Sequence, residues 1–565
     1  MCSATSVAIL GSTMAGSSKQ KQQKPTHWAD INAQKIVGRR GPREGNQPYT
    51  CASGITPSGT IHIGNFREII SVDLVVRALR DRGEPVRFIY SWDEYDVFRK
   101  VPKNMPNREM LERHLRWPIT LVPDPYGRAE SYARANELEL EGLLSVVGIE
   151  PEYIYQASRY RNSAYAEGIR IALEHRNQIR RILDEYRTSP LPDEWWPISV
   201  FSNEDNTDRT EVLDWDGEYA VTYSTLSNGT VETVDLRSTG AVKLPWRIDW
   251  PMRWAQEGVD FEPAGKDHHS EGGSFDTGRR IAKEVYNVEP PVTFQYDFVR
   301  IKGAGGKISS SAGDVVGLRD ALEIYQPEIV RYLFAGTRPN SEFAVSFDLD
   351  VIKIYEDYDK CERIYFGLEE VGAKRKEKEA RIYELSQVDS PPDEMPLQVG
   401  FRHLCNLLQI ADGDVEKALD FVPEYPEADR IAKARLRTRA ACAWNWITTY
   451  APSDFRFQLR DSLLGGGGTA ADTADVSNLT PVELTAEERR AVVALREEIR
   501  ERFVEHDDKT LAEAIYRIAE EEGLEAKTLF QAMYRVLIGQ SKGPRLAGFL
   551  LTIGRERVLA LLALY

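Results

Sequence analysis

The chain has 565 residues, 42% hydrophobic and 28% charged, which suits two to four packed domains and excludes a wholly disordered or fibrous protein. Its formal charge of −16, from 72 Lys and Arg against 88 Asp and Glu, argues against indiscriminate wrapping of nucleic acid, though a local basic track can still meet RNA. No run approaches the apolar length of a membrane span. The five scattered cysteines (Cys2, Cys51, Cys361, Cys405, Cys442) lack disulfide or zinc spacing, so a cytoplasmic protein is expected.

Residues 1–45 read as a flexible extension: a small-residue start, the polar run GSSKQKQQK from Gly16, then GRRGPREGNQ. Low hydrophobicity there predicts partial disorder, its basic residues either touching RNA or forming a solvated tail. From Gln47 the pattern becomes regular. A short apolar run (Tyr49 to Ala52), a Gly/Pro turn, an amphipathic helix from about Ile61 to Arg82 and the run Val86 to Tyr90 make a βαβ unit. Ligands of open parallel sheets bind beyond the carboxyl ends of the strands, which singles out SGITPSGTIHIGN and SWDEYD.

Residues 125–190 read as helices ending in the basic stretch His175 to Arg187, and residues 196–242 as a small antiparallel insertion. The sheet pattern resumes at Leu244 and runs through Gly306. After Asp320 apolar residues recur at helical spacing, broken by the low-complexity loop Gly465 to Asn478. The expected architecture is α/β: a parallel-sheet domain over 46–320 with a helical and β insertion at 125–243, a helical junction at 321–370, and an all-α domain at 371–565.

Two segments carry chemistry. In Ala52 to Asn65 small residues let a flat charged ligand approach the backbone, and the start of the following helix offers free N–H groups to a phosphate. His62, placed in the first turn, can donate to a phosphate oxygen as charge grows in a nucleotidyl-transfer transition state; a purely structural turn is the alternative. In Lys302 to Val315 glycines flank Lys307 and the hydroxyls of Ser309, Ser310 and Ser311, which can hold a polyphosphate; a solvated loop is the alternative.

Together, HIGN at 62–65 and KISSS at 307–311 resemble the HIGH and KMSKS signatures of class I aminoacyl-tRNA synthetases. The wording is most similar to class I lysyl-tRNA synthetase, through ASGITPSGTIHIGNFRE, SWDEYDVFRKVP, LPWRIDWPMRW, GKDHHSEGGS, PEIVRYLF, YEDYDKCERIYFG and GPRLAGFLLTIGRERV. The resemblance implies a Rossmann-type catalytic domain that activates L-lysine with ATP to lysyl-adenylate and pyrophosphate, then transfers lysine to the 3′ end of tRNA(Lys). It implies ATP contacts from Pro57, Ser58, Gly59, His62, Gly64, Asn65, Lys307, Ile308, Ser309, Ser310 and Ser311. His62, Gly64, Asn65 and Lys307 would form the catalytic set, with Mg²⁺ on the phosphates. Ile308 and Ser310 depart from the general signature, placing more of the loop's role on Lys307.

A lysine pocket calls for carboxylates, acceptors and an aromatic face. Gly54, Thr56, Asp93, Trp246, Asp249 and His268 are the candidates, with core-aromatic roles for tryptophan and surface or capping roles for Asp93 as alternatives. The resemblance also implies a structural zinc in the insertion, but the matching places read Ser199-x-x-Ser202 and Ser224-x-x-Ser227, so no zinc is expected. The domain at 371–565 would bind the anticodon arm, with Arg430 to Arg439 either contacting phosphate or forming a solvated face, and Arg180, Arg181 and Arg187 meeting the acceptor stem. No membrane and no obligatory protein partner are expected. Two rival readings are a regulator that kept the fold without catalysis and a nucleotidyltransferase acting on a small acid without tRNA; the long helical half disfavours the second.

Overall fold

The computed structural model describes residues 25–59, 61–102, 105–303, 316–462 and 479–565. Its centre is a parallel sheet of β1 (Tyr49–Ile55), β2 (Val86–Trp92), β3 (Glu152–Tyr155) and a short strand, Val259–Phe261. The spatial order is β3, β2, β1, then Val259–Phe261. β1 runs beside β2 from Tyr49 opposite Val86 to Ile55 opposite Trp92. Its first five residues are all buried, as a strand needs when both faces of a parallel sheet are covered.

The crossover from β1 to β2 is helix α2 (Ile63–Asp81), whose apolar residues from Ile63 to Leu79 are buried. Beyond Phe261 parallel pairing continues through a bridge to Val292 and through Ala264–Gly265 beside Gln295–Tyr296. The chain thus leaves β1 toward β2 and β3 on one side and returns on the other. Such a reversal opens a crevice at the strand ends, where ligands of doubly wound sheets bind.

Two expectations change here. Helix α1 occupies Trp28–Arg40, so the flexible extension expected through residue 45 does not hold for this stretch. Ala29, Ala33 and Ile36 share one helical face and are buried, and α1 packs on α2. His27 caps the helix by accepting from Ala29 N, and its other ring nitrogen lies 2.9 Å from Ala335 O. Average polarity hid this narrow apolar stripe.

The expected boundary at 370/371 also does not match the packing. One core runs from α1 and the sheet through the helices as far as Ala451; a second joins Ile410 to residues Leu459 to Leu562. The break lies between Ala451 and Leu459. Within 125–243 the β part is a three-stranded antiparallel sheet, Thr210–Trp215, Ala220–Thr225 and Val231–Asp235.

Candidate active site at the strand ends

A cavity of about 700 Å³ opens beyond the ends of β1 and β2, between Gly54 to Thr56, Ser91 and Asp93 on the sheet and the helix Trp246–Glu257. Gly54, Thr56, Asn65, Asp93, Trp246, Asp249 and His268 all line it. Pro57, Ser58 and Gly59 in the turn between β1 and α2, His62 at the N-cap and Gly64 in the first turn of α2 are not among its lining residues. Lys307, Ile308, Ser309, Ser310 and Ser311 lie outside the described residues.

His62 is the N-cap of α2 rather than a residue of its first turn. Its Nδ1 accepts from Asn65 N at 3.2 Å while Asn65 Oδ1 accepts from His62 N at 3.2 Å, a reciprocal capping box. Protein packed against the ring lowers its pKa and favours neutral imidazole. With Nδ1 engaged as an acceptor, the remaining proton sits on Nε2, where it can be donated to a ligand. Gly64 makes this arrangement possible: a Cβ there would stand 2.8 Å from Nδ1 and 2.9 Å from Cε1 of His62.

The rest of the turn is held by its backbone. Asn136 Nδ2 donates to Pro57 O at 3.2 Å and the Tyr132 hydroxyl to Ser58 O at 3.1 Å. At Gly54 a Cβ would come within 2.8 Å of Ser91 O. Glycine therefore lets β1 and β2 close up where the cavity begins.

The far wall comes from helical periodicity. Trp246, Trp250 and Trp254 recur at i, i+4 and i+8, so their rings fall on one face. Trp246 stacks on Trp250 at 4.7 Å and 18°, and Trp250 tilts on Trp254 at 5.0 Å. Trp246 is 38% exposed and has the Arg253 guanidinium over its ring at 5.3 Å, whereas Trp250 and Trp254 are core. His268 sits 5.6 Å from the Trp250 ring, its Nδ1 lies 2.5 Å from Ser274 Oγ, and burial lowers its pKa. His269 packs on Phe275 instead and does not line the cavity.

The electrostatics divide the lining carboxylates into two sets. Asp93 and Asp249 both meet Arg253, at 2.5 and 3.3 Å, and Asp249 also accepts from the Tyr160 hydroxyl. Asp96 meets Arg99 and Lys243, and Asp208 meets Arg116. Glu68 and Glu262 form no ion pair among the described residues, and Arg253 reaches Glu262 only through its field. Glu68 accepts from Tyr296 OH at 2.6 Å and from Ser53 Oγ and Gly54 N at 3.1 Å, while Trp254 Nε1 donates to Glu262 at 2.6 Å. Burial raises both pKa values, that of Glu262 to about 7.

Glu68, Arg253 and Glu262 were not singled out from the sequence. Two signals were available: Asp249 and Arg253 are spaced i, i+4, and Glu68 lies one turn beyond Asn65 on α2. Glu262 follows a three-residue strand, too short for a periodic signal.

In the insertion Ser202 and Ser227 both bond Asp205, while Ser199 and Ser224 lie in strands. Ser199 pairs with Lys243 in another strand pair, and Ser224 lies mid-strand opposite Glu211 and Val231. Buried Ser202 also meets Thr225, Oγ to Oγ1 at 2.7 Å, and Ser227 Oγ donates to Asp205 at 2.8 Å. Two matching turns meet here: Ser202 N bonds Thr207 O and Asn206 N bonds Ser202 O, as Thr225 N bonds Thr230 O and Gly229 N bonds Thr225 O. The donors facing each other are oxygens already bonded to one another, a poor set for zinc.

The basic stretch Arg430 to Arg439 also changes meaning. Arg435 pairs with Glu362, Arg437 with Glu416 and fully buried Arg439 with Asp359. Those guanidinium groups hold helices together. Arg180 likewise pairs with Asp193 and Asp184.

Residues 26–389 match the family described as tRNA synthetases class I (K). The chain belongs to that family. Relatives carry the likeness over almost the whole length. The lysine–tRNA ligase of Borreliella burgdorferi is 52% identical over 94% of this chain and 98% of its own. That of Treponema pallidum is 49% identical over 96% and 99%. That of Thermococcus kodakarensis is 41% identical over 95% and 99%. Family membership places the crevice of the reversing sheet in a class I synthetase, a class of enzyme that uses ATP.

Proposed function

We infer that the chain is a lysine–tRNA ligase, which joins L-lysine to tRNA(Lys) through lysyl-adenylate. The lysine carboxylate oxygen attacks the ATP α-phosphorus, the bond to the β-phosphate oxygen breaks, and pyrophosphate leaves. A hydroxyl of the terminal ribose of tRNA then attacks the activated carbonyl and AMP departs. Likeness to lysine–tRNA ligases across nearly the whole chain supports the reaction.

Glu68 and Glu262 carry the reading at the level of chemistry. Two enclosed carboxylates without ion pairs in a cavity whose other acids are paired make a site short of positive charge. The ε-ammonium of lysine supplies that charge, with the exposed part of Trp246 beside its stem. In this reading Asp93 and Asp249 act through Arg253, shaping the pocket instead of binding the ammonium themselves. Thr56, Gly54 and His268 line the same cavity and are placed to meet the rest of the amino acid.

At the turn, His62 Nε2–H donates to phosphate oxygens of ATP, and the amide of Gly64 at the start of α2 adds to that field. Lys307 and Ser309 to Ser311, by their chemistry, bind the polyphosphate. Mg²⁺ enters with ATP and neutralises its phosphates. The insertion needs no zinc, because Ser202, Thr225, Asp205 and Ser227 tie its two turns by hydrogen bonds. The helical half holds the anticodon arm. The enzyme works in the cytoplasm without an obligatory protein partner; Cys51, Cys361, Cys405 and Cys442 are buried free thiols, as a reducing compartment allows. No helix among the described residues is long and apolar enough to cross a membrane.

The test is charging of tRNA(Lys) by the purified chain with lysine and Mg·ATP. Lysyl-tRNA formed in proportion to active enzyme supports the ligase. Pyrophosphate exchange without charging would favour a small-acid nucleotidyltransferase, and neither reaction a regulator.

A further inference from the structure

Tryptophan recurs every fourth residue along the helix Trp246–Glu257, and one acid, Glu262, meets the inner end of that row. Trp250 and Trp254 are 5% and 2% exposed and both pack on the ring of Phe275, at 5.7 and 5.3 Å. Packing alone does not call for an indole at such a place. A phenylalanine fills a core without bringing an N–H that then needs a partner.

The Trp254 N–H has that partner in Glu262 Oε2 at 2.6 Å, the one hydrogen bond the carboxylate makes among the described residues. The backbone of Glu262 is pinned separately, its N donating to Val292 O at 3.1 Å. Trp250 differs. Its Nε1 is buried and closes no hydrogen bond with any described residue, although its N–H acts on the same carboxylate and favours the charged form. Burial presses hardest toward the neutral acid, and the charge of Glu68 on α2 presses the same way, while the two indoles and Arg253 oppose them. Tyr296 faces the acid from the strand Gln295–Tyr296.

Neutral donors suit this task. An indole N–H orients a carboxylate and favours its charge without cancelling it, whereas a Lys or Arg in the same place would leave nothing for a cationic ligand. Buried donors in native proteins are paired, so an N–H left alone beside an acid marks a bond that another state of the site completes.

We propose that Trp250 is a positioning residue for lysine recognition: its N–H bonds Glu262 when the ε-ammonium arrives, and Trp250 and Trp254 together aim the carboxylate at the substrate. The proposal rests on the ligase reading and deepens it at the same site.

The test is lysine-dependent pyrophosphate exchange by the full chain carrying Trp250→Phe and, separately, benzothienylalanine at position 250, which keeps the two-ring outline and lacks only the N–H. Each should raise the KM for lysine about 3- to 10-fold, with kcat and the KM for ATP changed by less than about twofold. Each should also move the acid limb of kcat/KM for lysine to higher pH, because the carboxylate loses a donor that favours its charge. Should the smaller ring of Trp250→Phe unfold the chain, the isostere decides. In Glu262→Gln the isostere should move no pH limb. Wild-type lysine kinetics with an unmoved limb for the isostere at 250 would overturn the proposal, and so would equal losses for lysine and ATP, which mark Trp250 as packing alone. Absence of lysine-dependent exchange in the wild type would instead fault the ligase reading, and the proposal with it.

Discussion

Arg253 Nη1 lies 2.5 Å from Asp93 Oδ1 and thereby ties the helix Trp246–Glu257 to the end of β2. The same guanidinium meets Asp249 at 3.3 Å and donates to Ser91 at 2.8 Å. One cation therefore pairs with two acids in the cavity, while Glu68 and Glu262, which form no ion pair among the described residues, are in our proposal the acids that meet the substrate.

Arg253 is 6% exposed, so its removal leaves buried carboxylates uncompensated. Arg253→Met is expected to cost about 3–5 kcal/mol of stability. Urea unfolding monitored by fluorescence checks this. A loss below about 1 kcal/mol would mean that the acids find other partners.

Glu68→Gln keeps the shape of the side chain and removes the charge. The lysine KM should rise roughly 10- to 100-fold, with the KM for ATP changed by less than about threefold. Lysine-dependent pyrophosphate exchange at varied lysine and at varied ATP separates the two. Equal effects on both substrates would assign Glu68 to the fold of α2.

Burial pushes the Glu262 carboxyl up to about 7. Below that pH it is protonated and offers no charge to lysine, so kcat/KM for lysine should fall as pH drops through about 7. Glu262→Gln should flatten that limb. Stability has the opposite sign: a carboxyl raised from 4.5 to about 7 favours the folded state most below 4.5 and loses that advantage as pH rises through about 7. At pH 8 Glu262→Gln should therefore be more stable than wild type, by up to about 3 kcal/mol. Denaturation at pH 8 and kinetics from pH 6 to 8 test both halves.

Much of this cavity's lining is legible in the sequence. HIGN could be placed at a strand-to-helix turn, and Trp246, Asp249 and His268 do line one cavity with Gly54 and Thr56. What escaped was pairing in space. Asp93 and Arg253 are linked across 160 residues, and Glu68 meets Tyr296 across 228, so no local pattern shows which acids are already neutralised. Helix α1 escaped because three buried residues on one face scarcely move the average polarity of a charged segment. In the insertion Ser199 and Ser224 lie in strands while Ser202 and Ser227 meet at Asp205, because a hydrogen-bond register, not a spacing, decides which turns meet.

Gly64→Ala should act through His62. The added methyl would meet the imidazole at 2.8–2.9 Å and push the ring off Asn65 N, freeing Nδ1 and loosening Nε2. Adenylate formation should slow by about 10²-fold, near the effect of His62→Ala, while lysine KM and thermal stability change little. Single-turnover measurement of adenylate checks it; an undiminished rate would remove His62 from the chemistry.

Ser202→Ala removes the bond to Thr225 and should cost about 1 kcal/mol, with chelators leaving the wild-type melting temperature unchanged. Elemental analysis accompanies the melt. Stoichiometric zinc lost on unfolding would contradict the metal-free insertion.

The most direct test is pyrophosphate exchange into ATP with all twenty amino acids in parallel and norleucine beside them. Norleucine keeps the apolar stem and lacks the ammonium. Lysine alone should drive exchange, and norleucine should lose at least about 100-fold in kcat/KM in the wild type and far less in Glu68→Gln. Preference for another amino acid, or norleucine used as well as lysine, would contradict recognition of the ammonium by Glu68 and Glu262.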